Sequence, residues 1–270
     1  MKSKLIKNFN KDLLKSLKVL KINNENLYVT SNLTKIGKIR IAKQLKLKII
    51  LDALKKKLGT KYTIFTPGST LNLVNTNIVF DPLNTEIYKM GPLSEFIRKE
   101  KSTRSLHPFW SIVGIGEKRK LLEKVSPHSY GYGSPWSKML DNDFSQLNIG
   151  MHPSKAVTLI HHIETIIGVP YRFTKEFSHP IKLNNKIVKK NFYMSVFYKS
   201  ISIQKKIKLN EHFFVKLKKM KKLNYVKTQS GLEMWSFKMR DFFQVATKFL
   251  MEDIYSYLEY KPNLDEVHKN

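Results

Sequence analysis

The chain contains no cysteine. Disulfides, thiolate metal sites and a cysteine nucleophile are thereby excluded, and a reducing, cytoplasmic setting is the expectation. No apolar run approaches the ~20 residues that a membrane-spanning helix needs, and no signal-peptide pattern opens the sequence. Arginine is scarce, confined to Arg40, Arg98, Arg104, Arg119, Arg172 and Arg240. Acids are few as well, 21 against 49 lysines and arginines. Proline- or serine-rich linkers, internal repeats and low-complexity tails are absent from the sequence, so nothing in it marks a domain boundary.

The residues present suit a globular fold. Of 270 residues 41% are hydrophobic and 11% aromatic, enough to bury a sizeable core. The formal net charge of +28 suggests a polyanionic partner: nucleic acid, an anionic surface or a phosphate-rich ligand. Nearly all of that charge is lysine, whereas bidentate contacts to phosphates and bases favour arginine. Lysine spread evenly among abundant Ile and Asn reads as compositional habit, and specific nucleic-acid binding is not expected.

Residues Lys2 to Leu20 space Leu5, Ile6, Phe9, Leu13, Leu14 and Leu17 at helical intervals between lysines. This predicts a peripheral N-terminal helix within residues 1–25, packed by one face; a basic amphipathic helix also suits a membrane surface. Leu27 to Thr30 predicts a strand running into a polar turn at Ser31-Asn32. Ile39 to Leu58 predicts a lysine-rich helix stopped by Gly59, and Tyr62 to Thr66 a second strand closed by Pro67-Gly68. Asn77 to Ser111 reads as loop around one short helix, Leu93 to Lys99. Glu117 to Val125 reads as helix, and Ser134-Pro135 as the start of another reaching Leu140. Asn191 to Ser202 alternates like a strand, while Phe213 to Lys222 and Met239 to Tyr260 read as helices. Strands and helices alternating throughout predict a single α/β domain over residues 1–270.

Asp143 to Arg172 reads as strand, tight loop and helix, with Ser154 as N-cap after Pro153 and a stop at Gly168 and Pro170. Val157, Ile160, Ile163 and Ile167 form its apolar stripe. His161 and Glu164, three apart, lie on one flank about one turn from each other. A carboxylate there can hold the imidazole tautomer and raise its basicity, as a general base requires. On spacing alone, a structural histidine beside a surface glutamate competes with that reading. His161-His162-Ile163-Glu164 lacks the second histidine four residues on that a helical zinc motif uses, so no metal site is expected. Arg104-Ser105-Leu106-His107-Pro108 offers a guanidinium, a hydroxyl and an imidazole to a phosphate or acyl carbonyl. Gly131-Tyr132-Gly133-Ser134-Pro135 can present backbone N–H groups at a helix start. The spacing of this glycine loop is neither a dinucleotide fingerprint nor a Walker loop.

Taken in chain order, six pieces belong together. They are Phe80-Asp81-Pro82 with Thr85; Gly91-x-Leu93-x-Glu95-Phe96-x-Arg98; Arg104-Ser105-x-His107-Pro108-x-x-Ser111; Gly131-x-Gly133-Ser134-Pro135; Thr158-x-x-His161-x-x-Glu164; and Val169-Pro170-Tyr171-Arg172. Together they resemble the aminoglycoside 3-N-acetyltransferase family, from about Leu27 to Pro180 and more loosely to the last helix. The resemblance implies a three-layer α/β/α domain with a mixed central sheet, acetyl-CoA as acyl donor and an amine as acceptor. It places the catalytic histidine at His161 and its supporting acid at Glu164. Ser31, Arg104, Ser105, His107, Gly131, Gly133 and Ser134 would lie along the coenzyme, and Asp81, Glu95, Tyr171 and Arg172 would face the acceptor. The chain departs from the family where Thr30-Ser31-Asn32-Leu33, with Gly37, replaces His-Ser-Ser-Leu and its glycine. It departs again at Pro67-Gly68-Ser69-Thr70, in place of Pro-Thr-Phe-Thr, and at Thr85-Glu86, in place of Thr-Pro.

The expected activity is N-acetylation of an aminoglycoside or amino sugar by direct transfer. Within the six pieces the only acids are Asp81, Glu95 and Glu164. A polycationic drug wants several carboxylates, so an amine on a neutral or anionic sugar is the expected acceptor. The competing class is a basic protein that binds nucleic acid or an anionic surface on the same fold without catalysis.

Overall fold

A computed structural model describes residues 2–22, 26–33, 41–198, 211–229, 231–259 and 261–263. Its centre is β1 (Asn26–Ser31), which pairs in parallel with β2 (Thr63–Pro67) on one side and β5 (Ser145–Ile149) on the other. Parallel strands buried on both faces read as continuous apolar runs, and Leu27-Tyr28-Val29 is such a run. The two-residue period sends Leu27 and Val29 into one helical layer and Tyr28 into the other.

Antiparallel strands extend the sheet at both edges. On the β2 side these are β4 (Ile112–Gly116) and then β3 (Thr103–Arg104). On the β5 side they are β9 (Glu233–Lys238) and then β8 (Asn224–Lys227). The seven-stranded sheet therefore runs β3-β4-β2-β1-β5-β9-β8 and is mixed. One face is covered by α1 (Lys2–Val19), α2 (Lys43–Leu58) and α3 (Pro92–Arg98). The other is covered by α4 (Pro135–Asp141), α5 (Leu159–Ile167), α6 (Glu211–Lys219) and α7 (Met239–Glu252). This is the three-layer α/β/α arrangement. The N-terminal helix, α1, contributes Phe9, Leu13 and Leu17 to the buried core against α2. No helix among the described residues is long and apolar enough to cross a membrane.

A long hairpin, β6 (Arg172–Leu183) and β7 (Lys186–Phe197), stands apart from the main sheet. Its turn is Asn184-Asn185, both at positive φ (47° and 61°), the geometry whose twist matches a two-residue hairpin. It packs over a second, smaller core of Leu73, Phe80, Phe109, Ile181, Phe192 and Met194.

Several boundaries differ from the sequence reading. Glu117–Leu122 is a 3-10 segment interrupted at Lys118, so no α-helix covers Glu117 to Val125. The last helix ends at Glu252 rather than near Tyr260, where Asp253 adopts extended backbone. β7 begins at Lys186, five residues before Asn191, and β6 was not anticipated at all. Ile39 and Arg40 of the lysine-rich helix, Gly37, Tyr260 and positions 199–202 of the predicted strand lie outside the described residues.

Candidate active site

β1, β2 and β5 run parallel, so their carboxyl ends emerge together. With β1 between the other two, the strand order reverses there, which opens a crevice of the kind that holds ligands in α/β sheets. A cleft of about 860 Å³ lies at this point. Tyr28, Trp110 and Trp136 supply apolar wall; Tyr28 and Trp136 meet edge-on at 5.2 Å. Ser31, Ser69, Ser111 and Thr158 supply hydroxyls, and Lys43, Lys46, Lys89 and Lys155 supply positive charge. No carboxylate occurs among the described residues that line it. Gly91 shows how closely the wall is built: at φ 90°, a Cβ there would stand 3.1 Å from the Ser31 carbonyl oxygen.

Beside the cleft, α5 begins one residue after the lining residue Thr158 and carries His161 and Glu164. Ser154 does not cap this helix. It sits in a separate 3-10 turn, Pro153–Lys155, where its N–H donates to His152 Nδ1, and α5 starts later with Thr158 at the N-cap position. Val157, Ile160 and Ile163 are buried as expected, and Ile167 only partly. Gly168, at φ 76°, closes the helix in the left-handed region.

His161 is 22% exposed, whereas Glu164 beneath it has no exposed surface. His161 Nδ1 is 2.9 Å from Glu164 Oε2. The Tyr171 hydroxyl donates to Glu164 Oε1 at 2.9 Å. Arg172 Nε stands 2.8 Å from Glu164 Oε2, an ion pair whose N–H is not aimed for a hydrogen bond. A second Arg172 nitrogen, Nη1, donates to the Ser195 carbonyl, and the guanidinium lies 3.7 Å from the Phe197 ring centre. Arg172 Nη2 also approaches His161 Nδ1 at 2.6 Å. The two contacts at Nδ1 require opposite tautomers. A proton on Nδ1 points to the carboxylate and leaves Nε2 free to accept; an Nδ1 that accepts from arginine puts the proton on Nε2. Tyr130, Phe197 and Tyr257 surround the imidazole with rings at 5.7 to 6.3 Å. Burial lowers the His161 pKa from 6.5, the Arg172 charge lowers it further, and Glu164 opposes both, so the imidazole is neutral at pH 7.

Four of the sequence-predicted residues thus converge: His161, Glu164, Tyr171 and Arg172. Ser31 lies in the cleft. The remaining predicted residues hold the loops together. Arg104, 6% exposed, donates to Ser111 Oγ at 2.9 Å and to the carbonyls of Thr85 and Gly68, with Phe80 under its plane. Ser105 Oγ accepts from the Ile112 N–H across the strand bend. His107 Nδ1 accepts from the N–H groups of Phe109 and Trp110, and its Nε2 is 3.3 Å from the Tyr193 carbonyl on the hairpin. Ser134 Oγ donates to the Gly131 carbonyl, and the Gly131 N–H donates to His162 Nδ1 at 3.1 Å. Gly133 closes the same loop by accepting from the Ser126 N–H. Asp81 accepts from the N–H groups of Leu83 and Asn84 and pairs with Lys182 at 3.2 Å. Glu95 is held by Arg98 through two nitrogens and accepts from the Ile87 N–H. Arg104, Ser105, His107, Gly131, Gly133, Ser134, Asp81 and Glu95 thus each make contacts within the protein, and none of the eight is among the described residues that line the cleft. No group of His, Asp and Glu that could hold a metal occurs among the described residues.

These buried histidines make stability depend on acid. Burial pushes both His107 and His162 down to about 4, below the ordinary 6.5. Between those values the unfolded chain binds more protons than the folded one, so stability is full above pH 6.5 and falls as pH drops toward 4. The expected loss is on the order of 3 kcal/mol for each histidine. Urea unfolding at pH 7 and pH 4.5 checks this; equal stabilities would show that the two imidazoles are not held neutral.

The cleft-lining Trp110, Trp136, Lys43, Lys46, Lys89 and Lys155 were not singled out from the sequence. Trp110 lies inside the motif piece Arg104 to Ser111 and Trp136 directly follows Gly131 to Pro135, and that placement was the available signal. Nothing local separates the four lysines from the rest.

The sequence matches the aminoglycoside 3-N-acetyltransferase profile over residues 28–251. Comparison with curated proteins gives no match. Among solved structures, aminoglycoside acetyltransferase AAC(3)-Xa is similar with a TM-score of 0.77 at 17% identity, over 93% of this chain and 97% of that one. YokD from Bacillus subtilis gives 0.75 at 18% identity, over 91% and 94%. AAC-IIIb, in a binary complex with CoASH, gives 0.74 at 17%, over 94% and 98%. At such identities these structures speak to the fold.

Proposed function

The chain belongs to the aminoglycoside 3-N-acetyltransferase family, and on that premise we propose that it moves an acetyl group from acetyl-CoA to an amine of a sugar, with His161 as general base. The observation that carries the reading is the His161–Glu164 contact of 2.9 Å, on a helix that begins at the edge of the cleft.

Acetyl-CoA is a substrate here, and the cleft suits it. The ammonium groups of Lys43, Lys46, Lys89 and Lys155 match its phosphates, and the aromatic walls match its apolar arm. Ser31, at the end of β1, is the one predicted coenzyme residue on the cleft surface. A protonated amine is no nucleophile, so a proton must leave nitrogen as the N–C bond forms. His161 Nε2 accepts it in the tautomer whose Nδ1–H points to Glu164. The C–S bond then breaks, the electron pair leaves with sulfur, and the proton passes on to the thiolate. Glu164 stabilises the imidazolium, and Tyr171 with Arg172 holds Glu164 in place. A base so positioned contributes roughly 10² to 10⁴ in rate.

The acceptor follows from the carboxylates. Asp81, Glu95 and Glu164 are all engaged in internal pairs, and the described cleft lining has no acid. A polycationic aminoglycoside lacks partners in such surroundings, so the acceptor is an amine on a neutral or anionic sugar. Thiol release from acetyl-CoA, measured against a panel of aminoglycosides and amino-sugar nucleotides, tests both statements. Turnover with amino-sugar nucleotides is expected. Efficient turnover with kanamycin-type drugs alone overturns the acceptor, and thiol release with no amine in the panel overturns the transferase reading. The last outcome, joined to DNA or vesicle binding that weakens steeply with salt, is what a non-catalytic basic protein of net charge +28 would give.

A further inference from the structure

Tyr130 occupies an unusual place between the cleft and His161. Its ring is edge-on to the His161 imidazole at 5.7 Å. On its other sides it packs at 6.4 Å from Trp110 and 6.3 Å from Trp136, both of which line the cleft. The residue is 3% exposed, and its hydroxyl is buried with no hydrogen-bond partner. Neighbouring buried groups differ: the Tyr171 hydroxyl is bonded to Glu164, and His162 Nδ1 accepts from Gly131.

An unpaired buried hydroxyl costs stability, and phenylalanine would fill the same space without that cost. A protein that keeps the oxygen therefore has a use for it in a state other than the free one. Burial raises the Tyr130 pKa, with Glu164 and Tyr257 adding and Arg172 opposing, so the phenol remains an O–H donor across the physiological range. Trp136, 6.3 Å from the Tyr130 ring, meets Tyr28 on the cleft wall edge-on at 5.2 Å. Tyr130 thus belongs to a continuous cluster of rings that joins the cleft wall to His161.

We propose that the Tyr130 hydroxyl is the donor to the carbonyl oxygen of the acetyl thioester, stabilising the negative charge that develops there as the amine attacks. This rests on the acetyl-transfer reading and adds its electrostatic half. His161 takes the proton from nitrogen, while Tyr130 faces the oxygen that gains the C=O electron pair. As the C–S bond breaks, that pair returns to the carbonyl and the Tyr130 proton stays on its own oxygen throughout. A donor aimed at developing charge in a dry site commonly contributes a factor of ~10² to 10³ in kcat. The phenol O–H, which has no acceptor in the free protein, finds one only in the reacting complex.

The test is Tyr130→Phe, assayed beside wild type and His161→Gln. The expected result is a kcat lower by about 10²-fold, a KM for acetyl-CoA within about twofold, and a melting temperature equal to or above that of wild type because the orphan oxygen is gone. A structural tyrosine would give the higher melting temperature with kcat unchanged, and that result overturns the proposal. A drop in melting temperature together with a raised KM also overturns it, since the hydroxyl would then be supporting the fold. If Tyr130→Phe turns over normally while His161→Gln is inactive, Tyr130 fails and the base assignment stands. If wild type and His161→Gln are equally inactive, the acetyl-transfer reading itself fails and the proposal falls with it.

Discussion

Replacing His161 with glutamine is expected to lower kcat by roughly 10² to 10⁴ while leaving acetyl-CoA binding nearly unchanged. The separation follows from position. His161 is not part of the described cleft lining; it stands behind the cleft against Tyr130, with its Nδ1 on Glu164. Glutamine preserves much of the volume and a polar end but cannot accept and return a proton near neutral pH. Thiol release reads the first effect, and a thermal shift with acetyl-CoA reads the second. The wild-type pH profile supplies an independent check. Burial and the Arg172 charge hold His161 below its ordinary 6.5, so the base is already deprotonated at pH 7. Activity should be level above pH 6.5 and fall only below it. An acid limb centred well above 6.5, or a glutamine variant with wild-type kcat, would remove His161 from the role.

The second large effect is on folding. Glu164→Ala should destabilise the protein by about 3 to 5 kcal/mol, because it strips the anion from a buried pair and leaves the partner charge behind. Arg172 is 6% exposed in its side chain and lies over Phe197, so it has little access to water once the carboxylate is gone. Tyr171, fully buried, loses its hydroxyl partner as well. Glu164→Gln should cost less, since the amide oxygen still accepts from Tyr171, yet it should lower kcat because a neutral side chain cannot stabilise the imidazolium. Urea unfolding separates the cases. A loss below about 1 kcal/mol for Glu164→Ala would place the pair among weakly coupled surface ion pairs.

The central part of the fold was readable because its signals are local. Leu27-Tyr28-Val29, the Pro67-Gly68 stop, Gly59 after a lysine-rich helix and the Gly168 terminus each depend on a few adjacent residues. The elements missed depend on partners distant in sequence. β4 is five residues with two glycines, and its pairing with β2 and β3 makes it a strand. β6 carries Lys175, Glu176 and Pro180, which weaken any strand pattern, and it is held by twelve residues of β7. The Asn184-Asn185 turn is the one local mark of this hairpin in the sequence. Ser154 looked like a cap because it follows Pro153, but those residues close a turn of their own.

The candidate site divides along the same line. His161 and Glu164 could be placed together from sequence, since helix geometry alone sets residues three apart on one flank. Arg172 and Tyr171 enter because Gly168 ends α5 and Val169-Pro170 turns the chain back over it. Whether a polar side chain is free for a ligand or engaged inside the protein is not a local property. Arg104, His107, Asp81 and Glu95 have the chemistry for binding, and each is engaged by backbone or charge partners up to 101 residues away, as Asp81 is by Lys182. By itself, then, the sequence determined the α/β class, the family pattern and the His161–Glu164 pair, because these rest on short-range spacing and residue type. Tertiary structure alone decided that the cleft is walled by Trp110 and Trp136, lined by four lysines, and joined to His161 through the ring of Tyr130, whose buried hydroxyl has no partner. Those facts arise where strands and helices far apart in the chain meet at one end of the sheet.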